Sequence, residues 1–224
     1  MPTDAFSIDK FYRYGKKFSV KRGEYISNPG KSRDDECAFL LDSGICALTS
    51  LSKDGKEKIF LYFSGKRIVG FTQLMPIREP SPERRECFFI QAKTACTVYR
   101  ITREVFFRLL KTDPDFLSFM LRVLSENYVE ILNRFSQAQE ESAITRLCYL
   151  LLEQSREENG RLVFPSYFTY VELSKYLGVH PVTIARIMEK LKQSGYIAKS
   201  GSSLVVEEPK RLKELIGSGC GIDY

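Results

Sequence analysis

The chain has 224 residues, 43% of them hydrophobic, with 34 Lys+Arg against 28 Asp+Glu and a net charge of +6. That length and apolar content suffice for two modest cores, so one or two folded domains are expected. No run approaches the ~18 apolar residues of a membrane span, the opening Met1-Pro2-Thr3-Asp4 starts no secretory leader, and one histidine with six dispersed cysteines supplies no zinc site.

A cytoplasmic protein with no membrane contact follows as the expectation. Its thiols, Cys37, Cys46, Cys87, Cys96, Cys148 and Cys220, are expected to be mostly buried and reduced. A redox pairing through Cys220 stays open as the alternative.

Residues 18–101 read as short strands separated by turn signals. Phe18-Ser19-Val20 precedes Lys21-Arg22-Gly23, and Tyr25-Ile26 precedes Asn28-Pro29-Gly30. Ala38-Phe39-Leu40-Leu41 runs into Asp42-Ser43-Gly44. Residues 47–51 lead to Lys53-Asp54-Gly55-Lys56, an Asp-Gly hairpin signal. Ile59 to Phe63, Ile68-Val69-Gly70, Phe88-Phe89-Ile90 and Thr97-Val98-Tyr99 complete the run. Turns at this regular spacing suit a small antiparallel roll or sandwich.

Asp113-Pro114 then marks a helix start, with proline in the first turn. Leu117, Leu121, Leu124, Tyr128, Ile131, Phe135 and Ala138 follow at spacings of 4, 3, 4, 3, 4 and 3, a heptad seam. Phe119, Met120 and Leu132 widen it, so one side is free to pack on the roll. A dimerisation helix is favoured, because so broad a stripe needs two covers. An amphipathic helix lying only on its own domain is the alternative.

The third segment opens with a helix over 143–152, which Glu157-Glu158-Asn159-Gly160 is expected to end, Gly160 being the stop. Leu162-Val163-Phe164 reads as a strand. Thr169-Tyr170-Val171-Glu172 is a capping box, Leu173, Tyr176 and Leu177 give an apolar face, and Gly178 is placed to stop the helix in a left-handed turn. Val179 fills that turn and Pro181 opens the next helix, whose inner face is Ile184, Ile187, Met188 and Leu191. Cap, helix, glycine turn and second helix make a helix-turn-helix over 169–193. Residues 195–206 read as a hairpin, the wing of a winged helix. A purely structural helical hairpin is the alternative.

The second helix leaves His180, Val182, Thr183, Arg186 and Glu189 outward. Arg186 has the fork for guanine O6 and N7, Thr183 suits a phosphate or base edge, and Val182 fits only an apolar feature such as the thymine methyl. Tyr170, Ser174, Lys175, Lys199 and Ser200 are candidate phosphate contacts, and His180 a phosphate contact or turn residue. Residues 161–206 carry 6 Lys+Arg against 2 Asp+Glu, which is compatible with DNA. Neither an acid–base pair with a nucleophile, nor a phosphate loop, nor a metal cluster can be picked out, so an enzyme is not expected.

Taken together, Val171-Glu172-Leu173 through Gly178-Val179-His180-Pro181-Val182-Thr183-Ile184-Ala185-Arg186, the glycine-punctuated roll and the long helix resemble the CRP/FNR superfamily of transcription regulators over nearly the whole chain. Ala92-Lys93-Thr94-Ala95-Cys96 resembles the strand after that family's effector cassette. The resemblance implies an α+β fold: a β-roll effector-sensing domain over 1–112, like the cyclic-nucleotide-binding jelly roll, a dimerisation helix over 113–140, and a winged-helix DNA-binding domain over 141–224. It implies a homodimer on palindromic double-stranded DNA, with RNA polymerase as a further partner. A dimeric ligand-sensing module without sequence-specific DNA binding is the competing reading.

Departures from the family pattern bear on the effector. Members that bind cyclic AMP carry Gly-Glu and Arg-Ser pairs, where this chain has Gly70-Phe71-Thr72 and Glu86-Cys87. A carboxylate facing a phosphate is repulsive, so cyclic AMP is not expected, although Arg84 or Arg85 in a shifted loop would change that. The clustered N-terminal cysteines of iron–sulfur members and the sensor histidine of haem members are missing, and no cofactor is expected. Pro181-Val182-Thr183-Ile184-Ala185-Arg186 is similar to the corresponding helix of the CprK-like regulators of reductive dehalogenation. That likeness implies a small organic, halogenated aromatic effector and an A·T-rich inverted repeat. Thr72, Gln73, Arg84, Arg85, Phe88 and Tyr128 are the candidate effector-binding residues.

Overall fold

The computed structural model describes residues 2–27, 37–52, 55–75, 88–201 and 203–217. Two compact units, Met1–Ile131 and Leu132–Tyr224, meet inside one long helix.

The first unit holds two four-stranded antiparallel sheets. One runs β1 (Lys16–Val20), β8 (Cys96–Thr102), β3 (Cys37–Ser43), β6 (Arg67–Val69); the other runs β2 (Tyr25–Ser27), β7 (Phe88–Ala92), β4 (Ile45–Leu51), β5 (Glu57–Ser64). Strand β3 explains why its sequence is apolar without alternation. Cys37, Phe39 and Leu41 point into a core shared with Cys46, Leu61, Phe63, Ile90 and Val98 of the other strands. Ala38 and Leu40 point the opposite way, into a second core. A strand buried on both faces reads as a continuous run.

Helices cover that second face. α1 (Pro2–Tyr14) contributes Phe11, α2 (Arg103–Thr112) contributes Phe106 and Leu109, and α3 (Pro114–Glu140) contributes Phe116, Phe119, Met120 and Val123. Neither α1 nor α2 is expected from the strand-and-turn reading. Their tertiary burial, with Phe106 stacked edge-on to Phe116 at 5.9 Å, supplies what their short patterns do not. The expected start of α3 is present: Asp113 Oδ1 accepts the Phe116 N–H at 3.0 Å, and Lys10 Nζ lies 2.8 Å from Asp113 Oδ2. Residues Lys53 and Asp54 of the expected hairpin turn lie outside the described residues. Its remaining Gly55, at φ 72°, donates to the Ser52 carbonyl at 2.9 Å between β4 and β5.

The second unit follows as α4 (Ala143–Gln154), β9 (Arg156–Glu158), β10 (Arg161–Phe164), α5 (Tyr170–Leu177), α6 (Pro181–Gln193), β11 (Ile197–Ser200), β12 (Ser203–Val206) and α7 (Pro209–Gly217). Its sheet order is β11-β12-β10-β9. One expectation is corrected here. Gly160 is not the stop of α4, which already ends at Ser155. Asn159 (φ 51°) and Gly160 (φ 74°) are the two positive-φ residues between β9 and β10, with Glu158 paired to Arg161. Two successive left-handed residues match the right-handed twist of a tight hairpin. Helix α7, after the wing, is likewise unanticipated.

Candidate nucleic-acid interface

Local chemistry builds the helix-turn-helix. Thr169 Oγ1 accepts the Glu172 N–H at 3.3 Å and starts α5. The reciprocal half of the expected capping box differs: the Thr169 N–H goes to the Tyr167 carbonyl at 2.9 Å, and Glu172 Oε1 accepts from Lys175 Nζ at 3.3 Å. Gly178 ends α5 at φ 66°, and its N–H donates to the Ser174 carbonyl at 2.9 Å. Only a residue at ease in the left-handed region can do this without strain. His180 then caps α6, its Nδ1 accepting the Val182 N–H at 3.3 Å, with Pro181 in the first turn. Ile184, Ile187, Met188 and Leu191 are buried beneath α6, as Leu173 and Leu177 are beneath α5.

The outward face of α6 is therefore fixed in position. Val182 is 52% exposed, a large value for an aliphatic side chain that could have turned inward. His180, Arg186 and Glu189 are exposed and Thr183 is half-buried. Tyr170 is exposed at the start of α5, while Ser174 and Lys175 are half-buried further along it. Lys199 and Ser200 are exposed at the end of β11, next to the wing turn at Gly201.

Two arginines that sequence reasoning missed hold α5 from behind. Arg134 of α3 stacks on the Tyr176 ring, its Cζ 3.4 Å from the centroid, and donates from Nη2 to the Tyr176 carbonyl at 2.9 Å. Arg146 of α4 donates from Nη1 to the Leu177 carbonyl at 2.8 Å. These carbonyls belong to the last turn of α5, where no helical N–H follows to take them. The partners lie 42 and 31 residues apart in sequence, beyond any periodic signal.

Two models of known families match separate parts of the chain. A cyclic nucleotide-binding domain matches residues 17–113, and a Crp-like helix-turn-helix domain matches residues 145–215. Both domains of the CRP/FNR regulators of transcription are thus matched in this chain, in their order. The relatives it matches are transcription regulators, not enzymes. The cAMP-activated global transcriptional regulator CRP of Salmonella typhimurium is 25% identical over 188 residues, covering 76% of this chain and 80% of that protein. A solved CRP/FNR regulator from Thermus thermophilus shares the fold at a TM-score of 0.73 and 22% identity, covering 92% of this chain and all of that one. CprK complexed with OCPA shares it at 0.62 and 18%, covering 93% and 92%. CprK is thus one fold neighbour among several.

The candidate effector-binding residues lie partly within the described residues. Arg84 and Arg85, like Glu86 and Cys87, lie outside the described residues. Gly70 turns at φ 76° against Phe39, whose ring a Cβ would meet at 2.8 Å. Thr72 and Gln73 follow in a single 3-10 turn, Phe71–Leu74. Gln73 joins two strands, its Oε1 accepting from Ser27 Oγ at 2.5 Å and its Nε2 donating to the Phe88 carbonyl at 3.0 Å. Phe88 is exposed, edge-on to Phe60 at 5.4 Å. Gln73 and Phe88 are thus brought together, with Thr72 exposed beside them. Tyr128 lies on the exposed stripe of α3. The helix position turned to the sheet at that level is Asn127, and with Glu130 it accepts from Arg67 Nη2 of β6 at 3.1 and 3.2 Å. Buried Lys93 pairs with Glu57 at 2.9 Å and donates to Gln91 Oε1 at 2.8 Å, so this residue of the Ala92–Cys96 stretch serves the fold.

Among the described residues Cys37, Cys46, Cys96 and Cys148 are free and buried; Cys87 and Cys220 lie outside them. Burial pushes the Cys148 thiol up to about 12 and raises Cys46 and Cys96 as well. No described helix is long and apolar enough to cross a membrane.

Proposed function

We propose that this regulator binds an A·T-rich inverted repeat of duplex DNA as a homodimer and that a small organic molecule, halogenated and aromatic in the CprK-like case, controls the binding. The observation that carries the reading is the outward face of α6. An exposed Val182 one residue into the helix and an Arg186 one turn later stand on a rigid, buried platform. Valine offers a base edge only apolar contact, which favours the thymine methyl, and Arg186 suits one guanine or a phosphate per half-site. Tyr170, Ser174, Lys175, His180, Thr183, Lys199 and Ser200 are the phosphate and edge contacts around them, with Lys175 shared with Glu172.

The homodimer reading is supported by the exposed apolar stripe of α3: Leu117, Leu121, Leu124, Tyr128, Ile131 and Phe135. Phe116, Phe119, Met120 and Val123 of the same helix are already buried on the sheet, so the stripe is a second apolar face. These leucines and the isoleucine are 40–57% exposed, so covering each with a partner adds about 1 kcal/mol, roughly half of the full burial value. The effector reading assigns Thr72, Gln73 and Phe88 to the ligand, together with Arg84, Arg85 and Tyr128. RNA polymerase is the further partner of the reading.

Titration of the full chain against an A·T-rich inverted repeat and a scrambled duplex of equal composition, with and without a panel of halogenated phenols, tests it. Tighter binding to the repeat, altered by at least one phenol, is expected. Equal affinity for the two duplexes contradicts the DNA reading, and indifference to every phenol contradicts the effector reading.

A further inference from the structure

We propose that Arg134 sets the spacing between half-sites that this regulator accepts, by tying the helix-turn-helix directly to the last turns of α3. The inference rests on the dimeric, inverted-repeat reading above.

The chain turns between α3 and α4 at Glu141 and Ser142, and α4 leads on to α5 and α6. Were α5 held by α4 alone, a bend at that elbow would swing the recognition helix relative to α3. Arg134 reaches past the elbow. Its guanidinium Cζ lies over the Tyr176 ring, 3.4 Å from the centroid, and Nη2 donates to the carbonyl of the same residue at 2.9 Å. Arg146, beyond the elbow, takes the next carbonyl, Leu177, at 2.8 Å. α3, α4 and the C-terminal end of α5 thereby close a triangle, with both cations at the negative end of α5.

Arg134 is three residues after Ile131 and next to Phe135, both of the exposed stripe. The helical turn that would meet the partner copy is thus the turn that grips α5. In the dimer proposed above, the offset of each α6 from Phe135, the part of the stripe in its own unit, then follows from Arg134 rather than from the elbow alone. That offset is what a palindrome reads as spacing. Two added base pairs move the half-sites apart by about 7 Å and rotate one against the other by about 70°. A rigid offset rejects such a change, and a loose one tolerates it. Stacking and a directed donor together need a planar guanidinium; a lysine offers a point charge and one of the two contacts at a time.

The test is competition binding of full-length dimers to duplexes carrying the preferred repeat with its spacer unchanged, or shortened or lengthened by one or two base pairs. The wild type is expected to lose about tenfold or more in affinity at a two-base-pair change. Arg134→Ala is expected to bind all spacers within about threefold of one another while keeping the same half-site base preferences. Tyr176→Phe keeps ring and carbonyl and should match the wild type. Arg134→Lys should recover part of the discrimination. Tyr176→Leu removes the ring and should loosen the spacing as Arg134→Ala does, which keeps the test available if the alanine variant folds poorly. An Arg134→Ala or Tyr176→Leu protein with the wild-type spacing profile overturns the proposal, even if it melts at a lower temperature. A wild type that enriches no inverted repeat overturns the reading beneath it instead.

Discussion

At the residue scale, Val182, Arg186 and Lys199 are all exposed, and each is suited to a different kind of contact with DNA. Arg186→Ala removes a bidentate donor, so binding to the preferred site should weaken by about 1–3 kcal/mol per half-site. Fluorescence anisotropy at fixed salt measures this. Lys199→Ala removes a proposed phosphate contact, so it should weaken all sequences alike and flatten the salt dependence by about one unit of slope. A sequence-dependent effect of Lys199→Ala would move that residue from backbone to base contact. The thiols make a separate prediction. An unfolded thiol titrates near about 8.5, while burial lifts folded Cys148 to about 12. Because the folded value is the higher one, the stabilisation from its neutral form is complete below the unfolded value and is lost as pH rises from about 8.5 toward 12. Urea midpoints should therefore fall more steeply between about pH 9 and about pH 10.5 in the wild type than in Cys148→Ala. Equal slopes would mean that Cys148 is not shielded from solvent.

At the element scale, α3 has two apolar faces, and only one of them is covered in the single chain. Leu124→Asp with Ile131→Asp would place charge inside the expected seam at a cost of several kcal/mol, so the double variant should sediment as a monomer. Since both positions are exposed in the chain alone, the monomer should keep its melting cooperativity. A dimer of wild-type mass would contradict the seam. The heptad spacing of this helix was legible because a long period repeats itself many times. The helix-turn-helix was legible for the opposite reason: Thr169, Gly178 and Pro181 act within a few residues of their own positions. Between those extremes legibility fails. Asn159-Gly160 signals either a helix stop or a tight hairpin, and pairing of Arg156 with Val163 decides which. α1, α2 and α7 are short helices whose faces acquire meaning only against neighbours distant in sequence. Arg67, Arg134 and Arg146 are single charged residues whose partners lie 31 to 63 residues away. In sequence they look like any solvated arginine.

At the scale of the whole molecule, a sensing roll and a reading head are joined through one helix, the shared plan of the CRP/FNR family. That plan does not specify the ligand. Cyclic AMP is expected to be rejected here, because in sequence Glu86 replaces the phosphate-binding arginine that the resemblance to cyclic-AMP-binding members implies. Calorimetry should detect no tight binding of cyclic AMP; micromolar affinity would show that Arg84 or Arg85 has taken the phosphate. The Arg67 bridge to Asn127 and Glu130 joins the sheet to α3 close to Tyr128, and Arg134 joins α3 to α5 further along. On the proposed function, two copies of α6 read an inverted repeat through Val182 and Arg186. Selection of bound duplexes from a random pool, for the wild type and for Val182→Glu in parallel, tests it most directly. The wild type should enrich a two-fold repeat with A·T-biased half-sites, and Val182→Glu should shift one position in each half-site to cytosine, whose N4 donor a carboxylate accepts. A G·C-rich or asymmetric wild-type consensus, or one left unchanged by Val182→Glu, would contradict it.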